Sequence, residues 1–142
     1  MRHQLTTMDE LKAWTIATIL FLVAVLLTRC ASIQANIEQT RIWQAKADEA
    51  TAALGAGPVT VVLGPGLTGC YDRGSRQITL GVETPYRDWL AAHELGHAIL
   101  GHSEGGNLDQ EMAANAEAVK VLQVWGRSEE ADSSVRCRAA GS

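Results

Sequence analysis

The chain reads as an α+β protein: a small mixed domain set behind a membrane-spanning N-terminal helix. Three observations carry this expectation. An uncharged apolar run lies near the N-terminus, short β-branched and hairpin-like segments lie between Val59 and Leu80, and two helical stretches follow, the first carrying His93-Glu94-Leu95-Gly96-His97. The 142 residues have a net charge of −4 and no basic patch, so nothing favours binding to nucleic acid.

The apolar run, Ala13 to Thr28, is 16 residues without a charge, mostly Leu, Ile, Val, Ala and Phe. Counted from Leu11 to Ile33, with Arg29 extending toward the interface, it reaches the length needed to cross a bilayer. A soluble buried helix is disfavoured, because so apolar a surface would need a larger core than this chain can build. A cleaved signal peptide is the competitor, but Cys30-Ala-Ser32 and Ile33-Gln-Ala35 are poor cleavage sites. Arg29 directly before Cys30 also argues against lipid attachment there. The expectation is an uncleaved single-pass anchor in contact with membrane lipid. Orientation is nearly silent, since Arg2 and Lys12 before the span balance Arg29 and Arg41 after it. An extracytoplasmic domain is the mild default, and Cys70 and Cys137 could pair there.

Ile33 to Leu54 reads as a second helix, with Ile33, Ile37, Trp43, Ala47, Ala50 and Leu54 as a loose apolar stripe. It serves either as a stalk or as the first helix of the folded domain. Gly55-Ala-Gly-Pro58 ends it. Val59 to Leu63 is a strand candidate, and Gly64-Pro-Gly66 is a turn that lacks the ending of a phosphate loop. Gly69–Asp72 and Arg76–Leu80 flank Arg73-Gly-Ser75 as a hairpin. Thr84 as N-cap and Pro85 at the first helical position would start the motif helix. Asn107, with Gln110 three residues on, would start the last helix, which runs to about Trp125. The expected divisions are 1–32 for tail and anchor, 33–57 for the juxtamembrane helix, 58–126 for the domain and 127–142 for a loose polar tail.

His93 and His97 fall one helical turn apart on one face, the spacing at which two imidazoles grip one zinc ion, with Glu94 beside them. The motif sits among Trp89, Leu90, Ala91, Ala92, Leu95, Ala98, Ile99 and Leu100, so its polar residues cannot all face water. A buried carboxylate between two histidines is costly unless something pairs with it, and a zinc ion with its water would satisfy all three. The third ligand is not a histidine ten residues past His93, where Ser103 stands. The downstream candidates are His102, Glu104, Asp109, Glu111 and Glu117. His102 is five residues past His97, about 140° around the axis, and would reach the metal only if the helix broke at Gly101. Glu111 is better placed: with Ala114, Ala118, Val121 and Trp125 it forms a stripe whose small residues allow close packing against the motif helix.

The pair formed by His93–His97 and Glu111-Met-Ala-Ala-Asn115-Ala-Glu-Ala118 resembles the ImmA/IrrE-type metallopeptidases among the gluzincins. The resemblance covers about Gly69 to Val124. It implies a small zincin-like metallopeptidase domain in which His93, His97 and Glu111 hold Zn2+. Ala114, Asn115 and Ala118 match the surrounding pattern. The chain departs from it in a short loop between the helices and in Val124-Trp-Gly126, where the family has an apolar ending with Pro. In this class the strand before the motif helix lines the cleft, and Ile78-Thr79-Leu80 is the candidate whose edge a peptide would join.

The expected activity is hydrolysis of a peptide or protein substrate through a zinc-activated water, with Glu94 as general base. Tyr71, Tyr86, Arg87 and His102 are candidate oxyanion donors, and Asn115 or Asp109 could orient a histidine ligand. The rival expectation is a catalytically inactive, zinc-containing, membrane-anchored interaction or regulatory protein. An intact Glu94 weighs against it, since a structural site has no use for a base. Hydrolysis of a substrate other than a peptide also fits the motif; a groove along a strand would favour peptide, a closed pocket a small molecule.

Overall fold

A computed structural model describes residues 3–102 and 107–127, and the side chains among them from Lys12 onward. Cys137, Glu104 and the polar tail after Arg127 lie outside the described residues. Cys30 and Cys70 are exposed and form no disulfide among the described residues. The chain forms two compact units, residues 1–38 and 39–142.

The first element, α1, is one unbroken helix from His3 to Ala53. The sequence supplies the reason: no Gly or Pro occurs between His3 and Leu54, and the first glycine, Gly55, takes a positive φ of 71° where the helix has ended. No break in the helix accompanies the division expected at residue 32. Within the first unit, Trp14, Ile16, Ile19, Leu20, Phe21, Leu22, Leu26 and Leu27 are all exposed, and α1 is long and apolar enough to cross a membrane. Thr18, Thr28 and Ser32 turn their hydroxyls back onto carbonyls of the preceding turn, which removes their polar groups from the helix surface. The stripe expected from Ile33 starts later than its pattern suggests, since Ile33 and Ile37 are exposed and burial begins at Trp43.

In the second unit, residues 39–53 of α1 pack on a three-stranded sheet and two further helices. The strands are β1 (Thr60–Gly64), β2 (Gly69–Asp72) and β3 (Gln77–Gly81), followed by α2 (Arg87–Leu100) and α3 (Leu108–Val124). The sheet order is β1-β3-β2. β1 leaves a lane that β3 fills by running parallel to it, with Val61 opposite Ile78 and Leu63 opposite Leu80. β2 and β3 form the expected hairpin, with Cys70 opposite Thr79. Asp72 closes its turn by accepting from the Gly74 amide (2.8 Å) and the Ser75 hydroxyl, bonds that hold its carboxyl below the usual range. The expectation that a peptide pairs with β3 is corrected here. β3 is the central strand, hydrogen-bonded on both sides, and has no free edge.

Trp43, Ala47 and Ala50 join Val61, Tyr71, Ile78, Leu80, Ala92, Leu95, Ala118, Val121 and Leu122 in one buried core. Lys46 ties this layer together from its rim. Its ammonium lies over the rings of Trp43 and Trp125 and bonds Asp88 at 2.9 Å, while Trp125 Nε1 donates to the Lys46 carbonyl. Gln44 closes one side of the sheet. Its Oε1 accepts from Val61 N and its Nε2 donates to the Val59 carbonyl, both at 2.8 Å, so one side-chain amide pairs with the outer edge of β1.

Candidate metal centre

α2 does not start as its sequence suggests. Tyr86 is the N-cap and makes no side-chain cap bond, and Pro85 lies before the helix. The Thr84 hydroxyl instead accepts from the Tyr86 amide, an ST-turn that takes the place of the expected cap. The start of α3 follows expectation: Asn107 caps it, its Oδ1 accepting from the Gln110 amide at 3.0 Å. The Gln110 side chain does not complete a capping box through its Oε1, which has no partner among the described residues.

The two helices touch backbone to backbone. A Cβ built on Gly96 would lie 2.4 Å from the Ala114 carbonyl oxygen, so only glycine allows this approach. Ala114 and Ala118 are fully buried at the same crossing. Sequence reasoning placed the small residues on α3 but missed Gly96, which stands at a variable position of the HExxH pattern. The close crossing sets Glu111 and Asn115, one turn apart on α3, over the histidines of α2.

His93 Nε2 lies 3.1 Å from His97 Nε2, 3.2 Å from Glu111 Oε2, and His97 Nε2 lies 3.5 Å from Glu111 Oε1. These three residues are the group of ligand-type side chains close enough to hold one metal ion among the described residues. Glu111 meets the two histidines with different oxygens, and the spacing is compatible with a zinc ion. Tetrahedral zinc with bonds of about 2.0–2.1 Å separates its ligand atoms by roughly 3.4 Å. The rings are also presented correctly. His93 Nδ1 bonds Asn115 Oδ1 at 2.9 Å and His97 Nδ1 bonds His102 Nδ1 at 3.1 Å. If each Nδ1 carries the proton and donates it, both Nε2 atoms turn bare lone pairs into the triangle. Burial and the neighbouring histidines hold His97 below its ordinary pKa, which keeps it in the neutral form that metal binding needs.

Glu94 is buried beside this group. Burial, and then the charge of Glu111, push its carboxyl up to about 7, partly offset by a hydrogen bond from the Tyr71 backbone amide. Gly69 lets β2 run this close: a Cβ there would lie 3.0 Å from Glu94 Cγ and from Leu90 Cγ. The Gly81 amide bonds the Thr68 carbonyl, so by antiparallel alternation Cys70 and Asp72 face β3, while Gly69 and Tyr71 turn their backbone groups outward. The edge beside the site therefore belongs to β2.

The other candidates fall elsewhere. Glu117 is buried and paired with Lys120 at 2.7 Å, and Asp109 is exposed at the start of α3. Asn115, not Asp109, is the residue against a histidine ring. Tyr86 is exposed, one nitrogen of the Arg87 guanidinium donates to the Val82 carbonyl, and the buried Arg87 Nε and Tyr71 hydroxyl have no partner among the described residues. Comparison with protein-family models, with curated proteins and with solved structures finds no match to this chain.

Proposed function

We propose that this protein is a membrane-anchored zinc metallopeptidase of the gluzincin type, with the ImmA/IrrE-like metallopeptidases as the group it resembles. The observation that supports the reading is the triangle of His93, His97 and Glu111 with the buried Glu94 carboxyl beside it. Three protein ligands leave a fourth tetrahedral position, the arrangement of catalytic rather than structural zinc. The Glu111 side chain is 44% exposed while those of His93 and His97 are 17% and 10%, so the group is approached from solvent past Glu111.

Bound zinc would supply Lewis acidity, polarising a substrate carbonyl and making water easier to deprotonate. The chain's residues do the rest. Glu94, with an affinity for protons near neutral pH, accepts the proton of the attacking water and returns it to the leaving nitrogen. The Tyr71 amide holds the Glu94 carboxylate in place. The outward backbone groups of β2 other than the Tyr71 amide, those of Gly69 and the Tyr71 carbonyl, offer a register for an extended peptide laid along the site. Asn115 fixes the His93 ring.

The test is turnover of a peptide library by the full chain at measured zinc loading. Wild type should carry one zinc and cleave; Glu94→Gln should keep the zinc and lose cleavage by several orders of magnitude; Glu111→Ala should lose stoichiometric zinc. Equal cleavage by wild type and Glu94→Gln would overturn the mechanism. Zinc without any cleavage would move the protein to the class of inactive, metal-holding interaction proteins.

A further inference from the structure

We propose that His102 is a positioning residue for His97, holding the orientation of that ring toward the metal. The inference rests on the zinc reading above and deepens it. Continued as a helix, α2 would carry residue 102 about 140° away from His97. The helix instead ends in a reversal. Gly101 takes a positive φ of 68°, its amide bonds the Ala98 carbonyl, and the His102 amide bonds the His97 carbonyl at 3.0 Å. A Cβ on Gly101 would meet nothing within 4 Å, so glycine stands there for its backbone conformation and not for want of space. The reversal brings the imidazole of His102 back over the helix it has just left. Its Nδ1 lies 3.1 Å from His97 Nδ1, with the rings edge to face at 5.2 Å.

Two nitrogens at that distance share one proton. His97 must keep its Nε2 free to act as a ligand, so its Nδ1 is the donor and His102 Nδ1 the acceptor, with the His102 proton on Nε2. The two histidine ligands are thereby steadied from opposite sides, His93 by an amide from α3 and His97 by an imidazole from the end of its own helix. Neither partner is a carboxylate. Neither adds to the negative charge that Glu111 brings, which leaves a bound metal more electrophilic than a carboxylate partner would.

The experiment compares His102→Ala and His102→Asn in the full chain in detergent. Asparagine carries Oδ1 on Cγ, where histidine carries Nδ1, and so preserves the acceptor. Zinc affinity is read by chelator competition, and the ring N–H protons of the ligand histidines by nitrogen-resolved NMR of the zinc-loaded protein. His102→Ala should bind zinc about 10–100-fold more weakly and lose or shift the His97 Nδ1–H resonance while leaving that of His93 in place. His102→Asn should restore most of the affinity and the resonance. Unchanged affinity and resonance in His102→Ala would overturn the proposal, as would equal losses in two folded variants, since then the ring only packs. If the alanine variant fails to fold, a folded asparagine variant with weak zinc binding overturns it and one with normal binding and the resonance retained supports it. A wild-type chain that binds no zinc overturns the metal reading itself, and this with it, before any variant is compared.

Discussion

At the scale of single residues, Glu94 carries a consequence that can be measured without a substrate. Its carboxyl ionises near 4.5 in an unfolded chain and at about 7 in the fold. The folded state therefore binds the extra proton between those values, and stability falls as pH rises from about 4.5 to about 7. The loss amounts to about 3 kcal/mol for a shift of this size in a buried group. His97 works in the opposite sense, since its lowered pKa makes the fold less stable as pH falls below 6.5. The difference between wild type and Glu94→Gln isolates the first effect. In chelator-treated protein, the variant's gain in stability over wild type should grow from pH 5 to pH 8 in denaturant melts. A gain that does not change with pH would show that Glu94 is not held neutral by its surroundings. The His93/His97 pair and Glu111 were legible from helical spacing alone, because each is a matter of which face a residue occupies. The place of His102 was legible only as a condition, a break of the helix at Gly101, and the condition is met. It depends on a left-handed residue at Gly101 that turns a 140° separation into contact, and periodicity assumes the helix continues.

At the scale of elements, the crossing of α2 and α3 is the joint on which the metal centre depends. Gly96→Ala should force α3 away from α2, because the new methyl would meet the Ala114 carbonyl. The expected destabilisation is about 1–3 kcal/mol, together with weaker zinc binding, since Glu111 and Asn115 flank the contact. Thermal melting and chelator competition on the same sample check both. A variant that melts lower but keeps its zinc affinity would mean α3 moves without carrying Glu111 off. Local patterns showed the hairpin, the Asn107 cap and the small face of α3. They did not show the order of the strands. Ile78-Thr79-Leu80 reads equally well as an edge or a centre, because burial of Ile78 and Leu80 is the same in both and only the return of β3 beside β1 decides. The start of α2 was misjudged for a related reason: Thr84-Pro85 is chemically fit to cap a helix, but Thr84 spends its hydroxyl on the Tyr86 amide within the preceding turn.

At the scale of the whole molecule, α1 is long and apolar enough to cross a membrane, and the proposed anchor can be tested. The chain should remain in the membrane fraction after alkaline extraction, with an intact N-terminus by mass, and its domain should be open to protease outside the cytoplasm. A soluble product starting near Ile33 or Asn36 would mean that the segment is removed as a signal. Protection of the domain in intact cells would reverse the proposed side. A bilayer also crowds copies of a protein into a thin layer, where exposed sheet edges find one another readily. Here Gln44 has a role beyond stability. By presenting one amide to Val59 and Val61 it stands where the first residue of a further strand would pair, and covers the start of the outer edge of β1. A neighbouring chain, a loop or a substrate that pairs with the outward backbone of β2 would arrive with its own backbone beside Glu94.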